Sequence, residues 1–483
     1  MPANDLQAFA IAAMRARGLR PQFLREALAQ ADAATPTNEA PADVRDLREL
    51  HWFSIDNDES LDLDQLSVAE AMPDGQTRLR VAVADVDARV PAGSAIDEHA
   101  AANTTSVYAA SGVFPMLPER LSNDLTSLNE GCERLAVVVD MVVSPEGEVR
   151  EAQLYRGLVV NRAKLAYGPV SAWLDGDGAA PAAVERSAAL EAQVRLHDDV
   201  AARLREKRQS RGALEVKTVS GRPVFDANGV LVDIAPDEKN RAKELIADLM
   251  IAANSATARY LVQRRSPSLR RVLEAPRRWD RMVTLAATHG YALPAQADPV
   301  ALDDFLRERR VADPSAFGDL SLAIVKMLGP GEYAAAAPGE PSIGHFGLAV
   351  SDYTHSTAPN RRYTDLVTQR LIKAAIAGAA PPYDVDALAA IARHCTLQED
   401  NAAKVERQVL KAAAALLLAP RIGEAFDALV TGAKAAATYV RIARPLVEGR
   451  LVRGFEGADV GDALRVRLVG VDAAQGFIDF ERA

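Results

Sequence analysis

The hydrophobic pattern changes twice along the chain, and this change constrains the fold more than any other feature. From residue 51 to about 160, short β-type runs such as 79–83 and 135–143 are separated by loops. Helical stripes then dominate, until strand-like runs return from about residue 426. Because helices and strands are segregated without regular alternation, the sequence predicts an α+β fold and not a doubly wound nucleotide-binding fold.

Two apolar stripes at helical spacing identify helices in the middle of the chain. The first stripe comprises Leu190, Val194, His197, Ala201 and Leu204, and the second comprises Ala242, Leu245, Ile246, Leu249 and Ala253. Asp237 is the predicted amino-terminal cap of the second helix. Further helices are predicted over 359–377 and 386–418.

The amino terminus predicts a pair of short helices. Leu6, Phe9, Ala10, Ala13 and Met14 recur at helical spacing before Gly18, and a second helix follows, with Phe23, Leu24, Ala27, Leu28 and Ala31 on its apolar side. The pair is either a helix-turn-helix that contacts nucleic acid or a helical hairpin that packs on the main body. Residues 33–42 are Pro-rich and are interpreted as a linker.

The tail predicts a small β-barrel. Five strand-like runs, at 430–432, 437–442, 447–452, 464–471 and 477–480, are divided by Gly and Asp turns. Five strands in about 55 residues favour an OB-fold. Basic residues outnumber acidic ones there, and Tyr439 and Phe455 are candidates for stacking on bases.

The overall charge does not favour general nucleic-acid binding. The 483 residues carry 66 acidic and 56 basic side chains, a net charge of −10, so any contact with nucleic acid must be local. Cys132 and Cys395 are the only cysteines and lie far apart, which excludes a disulfide framework and a recognisable thiolate metal site. No stretch approaches the length of a membrane span. We therefore expect a soluble cytoplasmic protein without membrane association.

The most informative segment is SIDNDESLDLDQ, residues 54–65, where Asp56, Asp62 and Asp64 crowd one loop. Carboxylates this close repel one another unless a cation neutralises them, so the segment predicts a hard metal with oxygen ligands. An EF-hand is excluded because Leu61 and Ser67 occupy the positions of its glycine and its final acid. A solvated acidic turn remains the alternative.

A magnesium ion at this loop would suit phosphoryl-ester hydrolysis, which also needs a cation to hold the phosphate. The segment STAPNRRYTDLVTQRL, residues 356–371, supplies Arg361 and Arg362 in the first turn of a helix that Pro359 would open. A helix amino terminus with two guanidinium groups is a good anion site. The alternative is an ordinary exposed ion pair between Arg361 and Asp365.

Several motifs, taken in order, resemble the catalytic domain of the ribonuclease II and ribonuclease R family over residues 50 to 420. The motifs are SIDNDESLDLDQ, VAVADVDARV at 81–90, TSVYAASGVFPMLPERLSNDLTSLNEG at 105–131, RAKLAYGPVSAWL at 162–174, ELIADLMIAAN at 244–254, STAPNRRYTDLVTQRL and AAKVERQ at 402–408. The resemblance implies an Mg²⁺-dependent hydrolase that removes nucleoside 5′-monophosphates from the 3′ end of single-stranded RNA.

The resemblance implies the catalytic residues. Asp56, Asp62 and Asp64 match three of the four catalytic aspartates of the family, and Arg361 matches the arginine at the scissile phosphate. The fourth aspartate position holds Gln65. Its carbonyl oxygen can still coordinate Mg²⁺ or a bound water but carries no charge, so metal affinity or rate should fall.

The resemblance also implies RNA-binding residues. Tyr108 matches the tyrosine that fixes the terminal nucleotide, Tyr167 a second aromatic residue nearby, and Arg362 the basic neighbour of Arg361. Glu406 matches a carboxylate near the terminal sugar. Without the resemblance, the tyrosines would be interpreted as half-buried core residues and Glu406 as part of a solvated helix face.

Two further positions depart from the family pattern. Asp248 stands where the family has Glu near a ribose hydroxyl, and the shorter side chain puts direct contact in doubt. Val216 replaces a Phe that stacks on bases, so the aromatic clamp should be looser.

The sequence thus predicts three parts: a helix-turn-helix-like domain and linker at 1–42, an RNB-type catalytic domain of mixed sheet and helices at 43–425, and an OB-fold domain at 426–483. Residues 1–50 cannot hold the two cold-shock domains that usually precede the catalytic domain in this family. The leading hypothesis is an exoribonuclease of RNA degradation or processing, which needs Mg²⁺ but no organic cofactor and acts as a monomer. The alternative is an RNA-binding regulator that keeps the RNA channel but has lost hydrolysis through Gln65.

Overall fold

The computed structural model describes residues 3–35, 42–216, 220–226, 230–237, 239–314, 316–434 and 437–483. Most of the predicted linker, residues 36–41, lies outside these ranges. None of the helices in the described ranges combines the length and apolar character that crossing a bilayer requires.

Strands dominate before residue 160 and after residue 425 as predicted, but four strands between residues 220 and 336 interrupt the region where only helices were predicted. The helices are α1 (Ala3–Ala16), α2 (Arg25–Ala33), α3 (Ala95–Asn103), α4 (Tyr167–Asp175), α5 (Ala182–Glu185), α6 (Ala188–Gln209), α7 (Arg241–Gln263), α8 (Trp279–Thr288), α9 (Pro299–Ala312), α10 (Phe317–Leu328), α11 (Tyr363–Ala377) and α12 (Val385–Leu418). The strands are β1 (Arg45–Asp46), β2 (Ser54–Asp56), β3 (Gln65–Ala71), β4 (Thr77–Ala84), β5 (Val107–Ala109), β6 (Gly112–Phe114), β7 (Glu133–Val143), β8 (Val149–Val160), β9 (Lys164–Ala166), β10 (Ser220–Phe225), β11 (Leu231–Asp237), β12 (Ser268–Val272), β13 (Glu332–Ala336), β14 (Ala425–Lys434), β15 (Ala437–Ile442), β16 (Val447–Arg453), β17 (Ala463–Asp472) and β18 (Phe477–Arg482).

A five-stranded sheet with the order β1-β8-β7-β4-β3 forms the centre of the main body. Strands β4 and β7 run antiparallel, with Leu79 opposite Met141 and Val81 opposite Val139. These side chains are buried, as the continuous apolar runs at 79–83 and 135–143 predicted. Helices α6 and α7 pack on this sheet and on each other, so the sheet is a rigid base for the loops at its ends.

Helices α6 and α7 bury the two predicted apolar stripes, and every residue named in those stripes is buried. The prediction that Asp237 caps α7 is wrong, because Asp237 is the last residue of β11. The cap is Asn240, whose Oδ1 accepts a hydrogen bond of 2.9 Å from the Lys243 amide.

Helix α11 begins later than predicted, at Tyr363 and not at Pro359. The preceding residues are bonded to the segment that leads into β5. Ser106 donates its amide to the Arg361 carbonyl (3.0 Å), and Tyr363 donates its amide to the Thr104 carbonyl (2.8 Å). This backbone pairing fixes Arg361 in a turn outside the helix, next to the strand that carries Tyr108.

The tail forms the predicted barrel, which is closed in the order β14-β15-β16-β18-β17. The hairpin of β10 and β11 is attached to it. Ile234 of β11 is buried in the barrel core, and Leu446 donates its amide to the Ile234 carbonyl at 2.8 Å. Tyr439 and Phe455 are exposed, as predicted for side chains that stack on bases.

Both amino-terminal helices pack on the main body, as in the second of the two interpretations. Leu6, Ala10, Ala13 and Met14 of α1 are buried in a cluster that includes Val405 and Val409 of α12 and Val107 of β5. Helix α2 buries Ala27 and Ala31 in the central core. Leu24 and Leu28, which were expected on the packed side of α2, are instead 51% and 44% exposed, because the small alanines make the close contact.

Candidate active site

The acidic loop spans the gap between two strands of the main body. Asp56 is the last residue of β2, which pairs in parallel with β9 and so places Asp56 opposite Ala166, next to Tyr167. Asp64 directly precedes β3 and is only 2% exposed. Asp56 accepts hydrogen bonds from the Asn57 amide (2.7 Å) and the Ser60 hydroxyl (3.0 Å). These bonds shape the loop without neutralising its charge.

Asp64 joins the loop to the turn before α11. Its Oδ1 accepts a hydrogen bond of 2.9 Å from the Asn360 amide, and its Oδ2 lies 3.4 Å from Nε of Arg361. The Arg361 side chain is 43% exposed, whereas Asp64 is buried. The two segments that the sequence singled out therefore meet, with the carboxylate beneath and the guanidinium facing solvent.

Burial raises the pKa of Asp64 to about 7, although the Arg361 cation and the Asn360 amide favour the charged form. Burial also raises the pKa of Asp62, and the Asp56 charge adds to this shift while Arg361 opposes it. Each carboxylate is thus destabilised by poor solvation and by its neighbours. A cation at this position would stabilise the charged forms.

Tyr108 and Glu406 flank the same loop. Glu406 of α12 accepts a hydrogen bond of 2.8 Å from the Tyr108 amide. The Tyr108 hydroxyl lies 3.5 Å from Oδ2 of Asp62, and the ring is 45% exposed. Burial of the hydroxyl raises the pKa of Tyr108, so it is a neutral donor at physiological pH.

An open cleft of about 1040 Å³ lies beside the acidic loop, and among the described residues that line it there is neither Asp64 nor Arg361 nor Glu406. Asp62, Tyr108 and Tyr167 line it, together with loop residues 57–61 and the β10–β11 hairpin. Burial raises the pKa of the Tyr167 hydroxyl, and the nearby Asp56 charge raises it further. The cleft therefore presents two neutral tyrosine rings beside a carboxylate.

The donor chemistry of the loop fits a hard cation, because carboxylate oxygens are the ligands that Mg²⁺ prefers. The three aspartates are not gathered into a ligand group, however. Within the described ranges, no group of three or more His, Cys, Asp and Glu side chains is arranged to hold a metal ion. The predicted ligand set of Asp56, Asp62, Asp64 and Gln65 stays a prediction.

Gln65 is half-buried at the start of β3, where it pairs with Val83. Its side-chain amide makes no hydrogen bond with any other described residue. It therefore stands next to Asp64 in the chain without contributing a bond to the Asp64–Arg361 pair.

Two predicted RNA-binding residues are engaged elsewhere. Arg362 donates from Nη2 to Asp365 at 2.8 Å, so the alternative interpretation, an exposed ion pair between Arg361 and Asp365, is wrong. Asp248 is 3% exposed and pairs with Arg205 (2.7 Å) and Arg208 at a different cavity. Val216 packs against the cluster formed by helices α8 to α10.

Asn360 is a site residue that the sequence did not single out. Besides donating its amide to Asp64, it accepts a 2.6 Å hydrogen bond from the Thr126 hydroxyl. Its Nδ2 is buried and has no partner among the described residues. The only indication in the sequence was that Asn360 directly precedes Arg361. Its contact with Asp64, which is far away in the sequence, is visible only in the folded chain.

Comparisons with known proteins match most of the chain. The sequence profile of the RNB domain matches residues 44–378, and the profile of the RNase II-type exonuclease C-terminal S1 domain matches residues 424–483. Ribonuclease R 1 of Lactococcus lactis is 29% identical over 493 residues, which cover 95% of this chain and 59% of that protein. Ribonuclease R of Escherichia coli K12 is 28% identical over 494 residues, covering 95% and 60%. The chain thus spans about three-fifths of the length of these relatives.

Solved structures share the fold. RNase R of Mycoplasma genitalium, in complex with ribose-methylated single-stranded RNA, superposes with a TM-score of 0.88 at 22% identity, covering 99% of this chain and 78% of that one. Yeast Ssd1, described as a pseudonuclease, superposes with a TM-score of 0.72 at 16% identity, covering 92% and 55%. Since the RNB profile alone spans well over half of the sequence, this chain belongs to the RNB-domain family.

Proposed function

We propose that the chain is an Mg²⁺-dependent 3′-to-5′ exoribonuclease that hydrolyses single-stranded RNA to nucleoside 5′-monophosphates. The observation that carries the proposal is the contact between Asp64 and Arg361, which joins the acidic loop to the arginine turn. The Ribonuclease R relatives support the reaction class.

Arg361 is suited to hold the scissile phosphate. Its Nε faces Asp64, while its two Nη amines have no ion pair or hydrogen bond with the described residues. A planar guanidinium can donate two parallel hydrogen bonds to phosphate oxygens. Asp64 beneath it fixes the orientation of the fork, so that the phosphate meets a positioned donor.

Asp56, Asp62, Asp64 and Gln65 would hold the ion. Bound Mg²⁺ would lower the pKa of a water molecule and stabilise charge on the phosphate oxygens. The residues of the chain would position the RNA: the exposed ring of Tyr108 can stack on the terminal base, and the Tyr108 hydroxyl can donate a hydrogen bond to Asp62. Tyr167 supplies a second aromatic surface in the cleft.

Discrimination between RNA and DNA is proposed to involve Glu406. Its Oε1 accepts a hydrogen bond of 2.8 Å from the Tyr108 amide, so its carboxylate lies beside the residue that we propose to contact the terminal nucleotide. A ribose hydroxyl can donate to a carboxylate, and deoxyribose has no such donor at the 2′ position.

The test is to incubate 5′-labelled single-stranded RNA with the chain and Mg²⁺, beside the Asp64→Asn variant and a DNA strand of the same sequence. We expect progressive shortening of RNA by the unmodified chain alone, and much slower shortening of DNA. Equal rates on both strands would overturn the role of the ribose hydroxyl, and equal rates with Asp64→Asn would overturn the catalytic site.

A second candidate function is supported by Gln65, because an amide in place of a fourth carboxylate weakens a cation site. The chain would then be an RNA-binding regulator that keeps the cleft. RNA binding without shortening at any Mg²⁺ concentration would favour this function over the enzyme.

We further infer a role in RNA degradation or processing in the cytoplasm, by a monomer with no organic cofactor. The same proposal includes attack at the 3′ end of the RNA and a requirement for Mg²⁺. It also includes contacts of RNA with Asp248, Arg362 and Glu406.

A further inference from the structure

A second cavity, of about 220 Å³, lies where the carboxyl end of α6 meets one face of α7 and the turn between β7 and β8. No residue lines both this cavity and the cleft of the candidate active site. Its charged lining consists of Lys207, Arg208, Arg211, Arg259, Glu148 and Asp248. Four cations therefore face two carboxylates.

Both carboxylates are already engaged by cations. Glu148 lies 3.3 Å from Nζ of Lys207 and 2.9 Å from Nη2 of Arg211. Asp248 pairs with Arg208, and also with Arg205 outside the cavity lining, at 2.7 Å. The positive charge of the lining is thus in excess of what the carboxylates neutralise.

Arg259 is the lining cation that has no carboxylate within ion-pair distance among the described residues, although the Asp352 charge acts on it from farther away. It lies on the exposed part of α7, four residues after Ser255, and therefore on the same helix face. In the described part of the chain it has neither an ion pair nor a hydrogen bond. A guanidinium in this position is available to an anion that enters the cavity.

The cavity also contains unsatisfied hydrogen-bond donors. Ser255 is 7% exposed, lines the cavity, and its Oγ has no partner in the described ranges. Nε of Arg208 is buried and equally without a partner. Buried donors without acceptors cost free energy, which an acceptor-rich ligand would recover.

We propose that this cavity is a second anion site, separate from the active-site cleft, which binds a phosphate group between Arg259, Arg208 and the Ser255 hydroxyl. A phosphate carries the negative charge that the lining lacks and has several acceptor oxygens for guanidinium and hydroxyl donors. The phosphate comes either from the backbone of RNA or from a free nucleotide or phosphate ion. The site exists whether or not the chain hydrolyses RNA.

Inorganic phosphate is the direct probe. Calorimetric titration of the full chain, at constant ionic strength and without divalent ions, should show a bound phosphate that survives in Arg361→Ala and weakens at least tenfold in Arg259→Ala. Ser255→Ala should weaken binding less, because it removes a donor but no charge. The matched control is Arg264→Ala, since Arg264 is an exposed residue at the end of the same helix that stacks on Tyr260, away from the cavity.

Unchanged phosphate binding in Arg259→Ala would overturn the proposal, as would loss of all binding in Arg361→Ala. Circular dichroism of each variant establishes that the fold is kept.

The source of the phosphate is tested with labelled RNA oligonucleotides. If the RNA backbone fills the cavity, inorganic phosphate competes with a 12-nucleotide RNA and Arg259→Ala weakens binding of that RNA. If a free anion fills it, phosphate binds the preformed RNA complex with unchanged affinity. Either result supports the site, whereas absence of phosphate binding in both arms contradicts it.

Discussion

Asp64 shows how one buried carboxylate can join distant parts of a chain. Asn360, which donates to it, is 296 positions away in the sequence. The removal of Asp64 from water is unfavourable, and the Asn360 amide and Arg361 offset part of that cost. The pair is therefore explained better by the need to orient Arg361 than by any gain in stability.

Gln65 provides a prediction at the scale of a single residue. Replacing it with aspartate, in Gln65→Asp, adds a carboxylate beside Asp64, and we expect the Mg²⁺ concentration needed for half-maximal RNA shortening to fall. The physical reason is that an added negative charge stabilises a bound divalent cation. The measurement is the rate of shortening as a function of Mg²⁺ concentration.

The control is Gln475→Asp, which adds the same charge at an exposed turn of the barrel. It should leave the Mg²⁺ dependence unchanged. If Gln65→Asp and Gln475→Asp behave alike, Gln65 does not face the ion.

Asp62 and Asp64 could be identified from the sequence because carboxylates rarely lie so close together in one short loop. Arg361 could be identified because it belongs to a pair of adjacent arginines near a predicted helix start. The sequence could not identify Asn360 as the backbone donor to Asp64, since any residue has an amide. The alternative interpretation of an Arg361–Asp365 pair at helical spacing fails because α11 starts at Tyr363 and Asp365 pairs with Arg362.

At the scale of an element, α11 is attached to the main body through a buried arginine. Arg370 is 5% exposed and donates to Asp87 (2.9 Å), Asp97 (2.8 Å) and the Tyr383 hydroxyl (2.8 Å). Because α11 follows the Arg361 turn directly, this network also fixes the position of the candidate site.

Arg370→Met should destabilise the chain by about 3 to 5 kcal/mol, because it leaves the buried Asp97 carboxylate without a cation and leaves Asp87 with Lys373 alone. The measurement is urea unfolding followed by circular dichroism.

Lys404→Met is the matched control. Lys404 also pairs with an aspartate, Asp400, at 2.6 Å, but both side chains are about half exposed. Its loss should cost less than about 1 kcal/mol. Equal losses in the two variants would contradict the importance of the buried network.

The boundaries of elements were predictable where apolar periodicity was strong. Strands β15 to β18 and helix α12 follow the predicted runs closely, since their side chains alternate or recur around a buried core, whereas β14 extends well beyond the predicted run at 430–432. The amino-terminal cap of α7 could not be predicted, because Asp237 and Asn240 are both favourable cap residues. The length of β11, which ends at Asp237, decides between them.

At the scale of the whole molecule, buried histidines predict a loss of stability in mild acid. Burial lowers the pKa of His99, His197 and His345 to about 4. The unfolded chain, with ordinary values near 6.5, binds these protons first. Each histidine therefore stabilises the fold above about pH 6.5, and this contribution is lost as pH falls towards 4.

His197→Phe tests the prediction, since His197 is fully buried with its ring 4.7 Å from that of Phe53. The difference in unfolding free energy between the unmodified chain and the variant should shift by about 2 kcal/mol between pH 7.5 and pH 5, against the unmodified chain. The raised pKa of Asp64 changes the unfolding free energy in the opposite direction as pH falls. Asp64 is present in both proteins, so its contribution cancels in the difference. The measurement is urea unfolding at the two pH values.

His51→Phe serves as the control because His51 is exposed, so this variant replaces a histidine without removing a buried one. A pH-independent difference for His197→Phe would show that His197 does not titrate as its burial implies.

The burial of Ile234 within the barrel affects how this protein could be recombined with its relatives. The β10–β11 hairpin precedes the barrel by some two hundred residues, yet Ile234 completes the barrel core while Arg222 of the same hairpin borders the cleft. A chimera that imported a foreign tail at residue 426 would leave Ile234 against a surface of different shape. The hairpin and the tail therefore have to be exchanged together, although the chain order separates them.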